Sequence, residues 1–184
     1  MSKLYQKARN TMSAPLSRQE TDLCKQLRDA RERTLALLND LQGNQWLGPK
    51  LVIVNPPLWE LGHLGWFQEC WCLRFNGSAP LSPSILPHAD ALYDSATVAH
   101  DTRWDLPLPG LDQTLAYLEE VLQRVLDKLQ REDDRLDYFA QLALFHEDMH
   151  GEAFYYTRQT LGYAKPKFAS AARIANAEGN TDKD

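Results

Sequence analysis

The chain is poor in cysteine, has no excess of positive charge and has no long apolar run, and each shortage removes a class of protein. Its 184 residues include three cysteines, Cys24, Cys70 and Cys72. So sparse and odd a count argues against a disulfide framework and for reduced thiols. Cys70 and Cys72 are spaced C-x-C rather than C-x-x-C, so neither a redox pair nor a zinc knuckle is expected, and buried, chemically quiet thiols are. Lys and Arg number 20 against 25 Asp and Glu, a net charge of −5. No broad basic surface is expected for nucleic acid or an anionic membrane. No apolar run approaches the ~20 residues that span a bilayer. Met1 to Asn10 is polar and mixed in charge, unlike a signal peptide. The expectation is a cytoplasmic protein. With 43% apolar and 24% charged residues the chain is ordinary for a soluble domain with a substantial core.

What is present is helical periodicity, in four segments. The first opens at the capping-box pattern Ser17-Arg18-Gln19-Glu20, just after Pro15. It carries Leu23, Leu27, Ala30, Thr34, Leu37 and Leu41 on one stripe, and Gly43 closes it. The second opens at Asn55-Pro56-Pro57, with Asn55 as cap, because proline at a first helical position loses no hydrogen bond. Its stripe is Trp59, His63, Trp66, Cys70 and Leu73, and Asn76-Gly77 ends it. The third runs from about Leu111 to Arg131 on Leu111, Leu115, Leu118, Leu122, Val125 and Leu129. The fourth runs from about Asp134 to Thr160 on Leu136, Phe139, Ala143, His146, His150, Ala153 and Thr157, with Gly162 as its C-terminal cap. The fold class expected is all-α, an antiparallel up-down four-helix bundle. A long irregular loop, Asn76 to Gly110, would join helices two and three, and a stretch of that kind often serves as a lid or binding loop. Leu51 to Val54 has the composition of a short strand, although one strand makes no sheet. The division expected is an N-terminal arm over 1–14, the bundle over 15–165 and a polar, disordered tail over 166–184.

Three histidines stand where leucines belong. His146 and His150 lie four apart, so on one helix they are about 40° and one turn from each other. His63 is on the inward stripe of another helix. Burying three unpartnered imidazoles is costly, and one divalent metal ion satisfies them together. Cys70 shares the face of His63 but lies about 10 Å further along the axis, out of reach of the same ion. Glu147 and Glu152 flank the pair but point off the stripe. Three neutral imidazoles leave coordination positions open, which suits catalysis better than a purely structural site. The ligand set alone does not choose among iron(II), zinc and nickel. Trp59, Trp66, Phe67 and Trp71 have the character of a pocket for a trimethylammonium group, and core packing accounts for them equally well.

His146-Glu147-Asp148-Met149-His150 also spells H-E-x-x-H, the zinc-protease signature with Glu147 as general base. The extended form of that signature wants Gly at 153 and His at 156, where Ala153 and Tyr156 stand. No substrate-binding sheet is expected either, so the protease reading is disfavoured.

The stretch Asn55-Pro56-Pro57-Leu58-Trp59-Glu60-Leu61-Gly62-His63-Leu64-Gly65-Trp66-Phe67 resembles the first metal-ligand helix of the DinB-like domain in ergothioneine-type sulfoxide synthases. His146-Glu147-Asp148-Met149-His150-Gly151-Glu152 resembles the H-x-x-x-H helix of the same domain. Ala91 to Pro109, with Tyr93-Asp94-Ser95 and His100-Asp101-Thr102-Arg103-Trp104-Asp105, is similar to this group and to its selenoneine-forming relatives. The resemblance covers about residues 15 to 165. It implies a non-haem iron(II) centre held by His63, His146 and His150. It also implies dioxygen-dependent joining of a small-molecule thiol, or a selenium compound, to the imidazole of a histidine-derived betaine. Arg103 is the candidate to grip a substrate carboxylate with its planar fork, and Trp66 the candidate aromatic contact. Members of the family carry a second, larger domain resembling the formylglycine-generating enzyme, so a partner catalytic domain is expected. Two alternatives stay open. One is a standalone DinB-like thiol transferase whose metal presents a thiolate. The other is a metal-stabilised interaction domain without chemistry, for which a homodimer through a helical face is expected.

Overall fold

The computed structural model describes residues 22–77, 80–130 and 134–166. Four long helices dominate: α1 (Asp22–Leu38), α2 (Pro57–Glu69), α4 (Leu111–Leu129) and α5 (Asp134–Thr160). The short helix α3 (Ala89–Tyr93) lies between α2 and α4, and a π-turn, Cys70–Arg74, extends α2. Among the described residues there is no strand. The strand-like stretch Leu51 to Val54 is instead an irregular link in which Val52 is 90% exposed and Ile53 67%. Among the described residues no neighbouring strand pairs it, and Pro56 and Pro57 follow at once. The capping box at Ser17–Glu20, the 1–14 arm and all but the first residue of the 166–184 tail lie outside the described residues.

α1 lies mainly along α5, and α2 mainly along α4, with α2 also touching α5 and α3. The stripes explain the packing. Leu27, Ala30, Thr34 and Leu37 of α1 are buried, as are Leu118, Leu122, Val125 and Leu129 of α4. α1 ends earlier than its apolar spacing implies, at Leu38, and Leu41 is buried from the following turn. α5 closes as its Gly162 suggests: Gly162 takes φ 66°, and Tyr163 N–H donates to the Arg158 carbonyl at 2.8 Å, the arrangement of a Schellman cap.

α2 differs from a simple amphipathic helix because it is enclosed on nearly every side. Trp59 through Trp66, then Gln68 and Glu69, are all buried. Its glycines let neighbours this close. A Cβ on Gly62 would stand 2.4 Å from the Tyr93 ring, and one on Gly65 would stand 3.1 Å from Leu118 and Tyr117. Asn55 does not cap α2; Pro56 occupies the cap position without a side-chain bond. The Asn55 amide oxygen accepts from Arg103 Nη1 at 2.6 Å instead.

The segment from Asn76 to Gly110 is not the structureless loop its composition suggests. It folds back over α2 and is fastened there. Arg74 holds Asp90 through two bonds of 2.7 Å. Trp66 Nε1 donates to Asp90 and Trp59 Nε1 to the Leu92 carbonyl, each at 2.7 Å. Buried Glu69 accepts from Ser84 Oγ, Ile85 N and Tyr117 Oη, each at 2.6 Å. Leu86, Ala89, Leu92 and Tyr93 join the core. The three cysteines are buried and outside any disulfide among the described residues, and burial pushes the Cys70 thiol up to about 11 and the Cys72 thiol up to about 12. Among the described residues no helix is long and apolar enough to cross a membrane.

Candidate metal site

His63 projects from α2 and His146 and His150 from α5, and one ring nitrogen of each lies within 4.8 Å of the others. The ring centroids are 5.0 Å apart for His63 and His146, 5.2 Å for His63 and His150, and 4.5 Å for His146 and His150. All three candidate ligands therefore meet. The i, i+4 spacing stacks two of them one turn apart, and the contact between α2 and α5 delivers the third.

Each imidazole is held differently. His63 Nδ1 is 2.8 Å from the Tyr93 carbonyl. A carbonyl can only accept, so Nδ1 carries the proton and Nε2 keeps the free lone pair. His150 Nδ1 is 2.6 Å from Glu60 Oε1, and the same reasoning leaves its Nε2 free. The His146 ring lies flat on Phe67, with centroids 3.6 Å apart and planes 9° apart. Burial, reinforced by the neighbouring imidazoles, lowers His63 to about 4 and His146 to about 2. Both are thus neutral near pH 7, the form that ligates a metal. Three imidazole nitrogen donors, two of them with their outer nitrogens anchored, fit a divalent transition-metal ion.

The remaining candidates sit around His63. Trp59 stacks on it at 5.0 Å and 8°, and Trp66 at 5.7 Å and 22°. Arg103 is 9% exposed, so it is no surface arginine, and its guanidinium carbon lies 3.8 Å from the centre of the Trp59 ring. Its Nη1 donates to Asn55 and its Nη2 to the Val98 carbonyl at 3.3 Å, while its Nε is buried without a partner among the described residues. Trp71 stacks on Phe139 at 5.6 Å. The faces of Trp59, Trp66, Phe67 and Trp71 are thus largely covered by other rings and by Arg103.

Glu147, the base that the H-E-x-x-H pattern would require, points the other way. It is 4% exposed, and its two oxygens accept from Arg31 Nε at 2.7 Å and Nη2 at 3.1 Å. Glu60 is the residue that sequence reasoning passed over. A signal was available: it is the one carboxylate in an apolar run and stands three residues before His63, on the same side of the helix. The Tyr93 carbonyl, a main-chain group, left no such trace.

The pattern described for the DinB superfamily matches residues 26–154, a span that contains all three histidines. Three curated relatives share the name hercynine oxygenase. That of Mycolicibacterium thermoresistibile is 35% identical over 135 residues, covering 71% of this chain and 29% of the relative. That of Mycolicibacterium smegmatis is 34% identical over 134 residues, covering 71% and 30%. That of Mycobacterium tuberculosis is 32% identical over 125 residues, covering 67% and 29%. The chain thus spans less than a third of the length of these relatives. Because the family match runs from the second turn of α1 nearly to the end of α5 and takes in every helix that forms the core, the chain belongs to the DinB superfamily.

Proposed function

We propose that this chain is the metal-holding helical half of an oxygenase acting on a histidine-derived betaine such as hercynine, with iron(II) bound by His63, His146 and His150. The observation that carries the reading is the meeting of three imidazoles from two helices, with His63 and His146 kept neutral by burial. Bound iron(II) would supply the dioxygen and thiol redox chemistry that side chains lack. The residues of the chain supply orientation. His63 and His150 present fixed nitrogens, and Phe67 backs His146. Arg103, buried beside Trp59 with Nε unsatisfied, is the group proposed to meet a substrate carboxylate. Trp66, stacked on His63, is the aromatic group proposed to contact the substrate. A small-molecule thiol is the second substrate in this reading. The four main helices are taken to alternate up and down, with 76–110 as the long crossover.

The outward side of α5 supports a partner catalytic domain. Tyr138, Phe145, Met149 and Tyr156 are 65%, 66%, 55% and 50% exposed. Their spacing of seven, four and seven places them on one face, immediately beside His146 and His150 in sequence. Three buried cysteines outside any disulfide among the described residues are consistent with a reducing, cytoplasmic setting.

The test is anaerobic purification, reconstitution with iron(II), and elemental analysis of the wild type and of His63→Ala and His146→Ala. Near-stoichiometric iron in the wild type, lost in both variants, is expected. Oxygen uptake with hercynine and cysteine should then depend on the same histidines. A wild type that retains neither iron nor zinc after reconstitution overturns the proposal. Zinc retained in preference to iron, with anaerobic thiol transfer, replaces it with the transferase reading.

A further inference from the structure

Glu60 is 1% exposed, and a buried carboxylate is expensive unless something specific offsets its lost hydration. Its bonded partner is a ligand imidazole rather than a lysine or arginine: Oε1 receives the Nδ1 proton of His150 at 2.6 Å. The contact joins residues 90 apart in sequence, and it crosses from α2 to α5, the same interface that the three histidines span. A leucine at this position would fill similar space without the desolvation cost, so packing does not account for a carboxylate there.

The three imidazoles form a graded series. His150 gives its outer proton to a full negative charge. His63 gives its own to a neutral carbonyl, and His146 is braced by the Phe67 ring. A carboxylate behind a ligand histidine fixes the ring's tautomer and rotation and makes the inner nitrogen a stronger donor, and its loss typically lowers metal affinity about 10- to 100-fold. We infer that Glu60 is a positioning residue for the metal site: through His150 Nδ1 it holds Nε2 as the inward donor and raises the affinity of the whole site for a divalent ion. This inference rests on the three-histidine reading, and it makes His150 the most tightly held ligand.

The experiment compares the full chain with Glu60→Gln, Glu60→Asp and Glu60→Leu by two measurements. Nitrogen NMR of the metal-free protein reads the His150 tautomer, and cobalt(II) titration followed by visible absorption reads affinity and ligand geometry. The Nδ1–H tautomer is expected in the wild type and in Glu60→Gln, whose amide oxygen still accepts, and a mixture is expected in Glu60→Leu. Cobalt affinity should fall by roughly 10-fold in Glu60→Gln, where charge alone is lost, and by up to about 100-fold in Glu60→Leu. Glu60→Asp should restore part of the affinity, and the absorption bands should shift in Glu60→Leu. If Glu60→Leu fails to fold, Glu60→Gln still decides the charge effect. An unchanged tautomer in Glu60→Leu, or cobalt affinity within about twofold of wild type in Glu60→Gln, overturns the inference. A wild type that binds no cobalt defeats the three-histidine reading and the affinity claim, while the tautomer measurement still decides whether Glu60 sets His150.

Discussion

Glu60 and Glu147 are both buried glutamates on helices that carry candidate ligands, and their surroundings differ. Glu147 is next to His146 in sequence and sits inside the only recognisable metalloprotease pattern, yet its carboxylate is bonded to Arg31. That arginine also donates to the Leu118 carbonyl at 2.9 Å and to Gln68 at 3.1 Å, so one guanidinium joins α1, α2, α4 and α5. Glu60 lies far from His150 in sequence and touches its ring. Neighbours along a helix point to different sides, and a residue on the facing helix can be closer to a site than the adjacent letter of a motif. Glu147 thus belongs to the packing between helices, and Glu60 is the glutamate in contact with a candidate ligand.

The strongest way to break this division is to remove the guanidinium. Arg31→Met should destabilise the chain by about 3–5 kcal/mol, because it leaves Glu147 buried and unpaired. Urea unfolding followed by circular dichroism measures it. The double variant Arg31→Met/Glu147→Leu should recover most of that loss, since well-packed apolar groups often replace a buried ion pair at no cost. Glu60→Gln should cost far less stability than Glu147→Gln. The reverse order would exchange the two roles.

A second test uses pH on the metal-free protein. His63 and His146 are lowered to about 4 and about 2 by burial, from 6.5. The unfolded chain therefore binds protons below about pH 6.5 that the folded chain refuses until far lower. The stability contributed is complete above the unfolded value. It falls as pH drops from about 6.5 through about 4, where His63 titrates, and continues toward 2 for His146. A loss of a few kcal/mol between pH 7 and 4 is expected from this source. Saturating metal should enlarge the fall, because protons compete for the same nitrogens. Unfolding midpoints in denaturant across that range, compared with His63→Ala/His146→Ala, isolate the histidine contribution.

Gly62→Ala tests the other anchor of the site, the Tyr93 carbonyl. The added Cβ would meet the Tyr93 ring at 2.4 Å, and overpacking of this kind costs about 1–3 kcal/mol. It should also displace the carbonyl that holds His63 Nδ1, so metal affinity should fall along with the melting temperature. A stability loss with unchanged metal affinity would show that the main-chain anchor matters less than the carboxylate one.

The helices α4 and α5 were legible in the sequence almost to the residue because their apolar positions recur every three or four residues. The meeting of the histidines was legible for the same reason: His63, His146 and His150 replaced apolar residues on inward stripes. What was not legible depends on chain segments far apart. The burial of α2 on nearly every side follows from 76–110 folding over it, and that fold is fixed by Arg74–Asp90, Glu69–Ser84 and Glu69–Ile85, pairings without local periodicity. Arg103 reads as a loop residue until that segment brings it onto Trp59. Asn55 reads as a cap until Arg103 takes its oxygen. Glu60 was visible as an isolated carboxylate, but its partner lies on another helix.

The smallest effect belongs to the third acid near the site. Asp148 follows Glu147 directly and also pairs with an arginine, Arg33 Nη1 at 2.8 Å. Its side chain is 41% exposed and that of Arg33 49%, so water and salt screen the pair. Asp148→Asn should therefore change stability by no more than about 1 kcal/mol, with most of the difference gone at high salt and metal affinity unchanged. Three acids, Glu60 on the candidate ligand, Glu147 on the buried arginine and Asp148 on the surface arginine, would then separate into three classes by measurement: affinity without much stability, stability without affinity, and neither. A metal-affinity defect in Asp148→Asn would mean that charge alone, acting at a distance, tunes the site, and that the direct bond from Glu60 to His150 is not what distinguishes it.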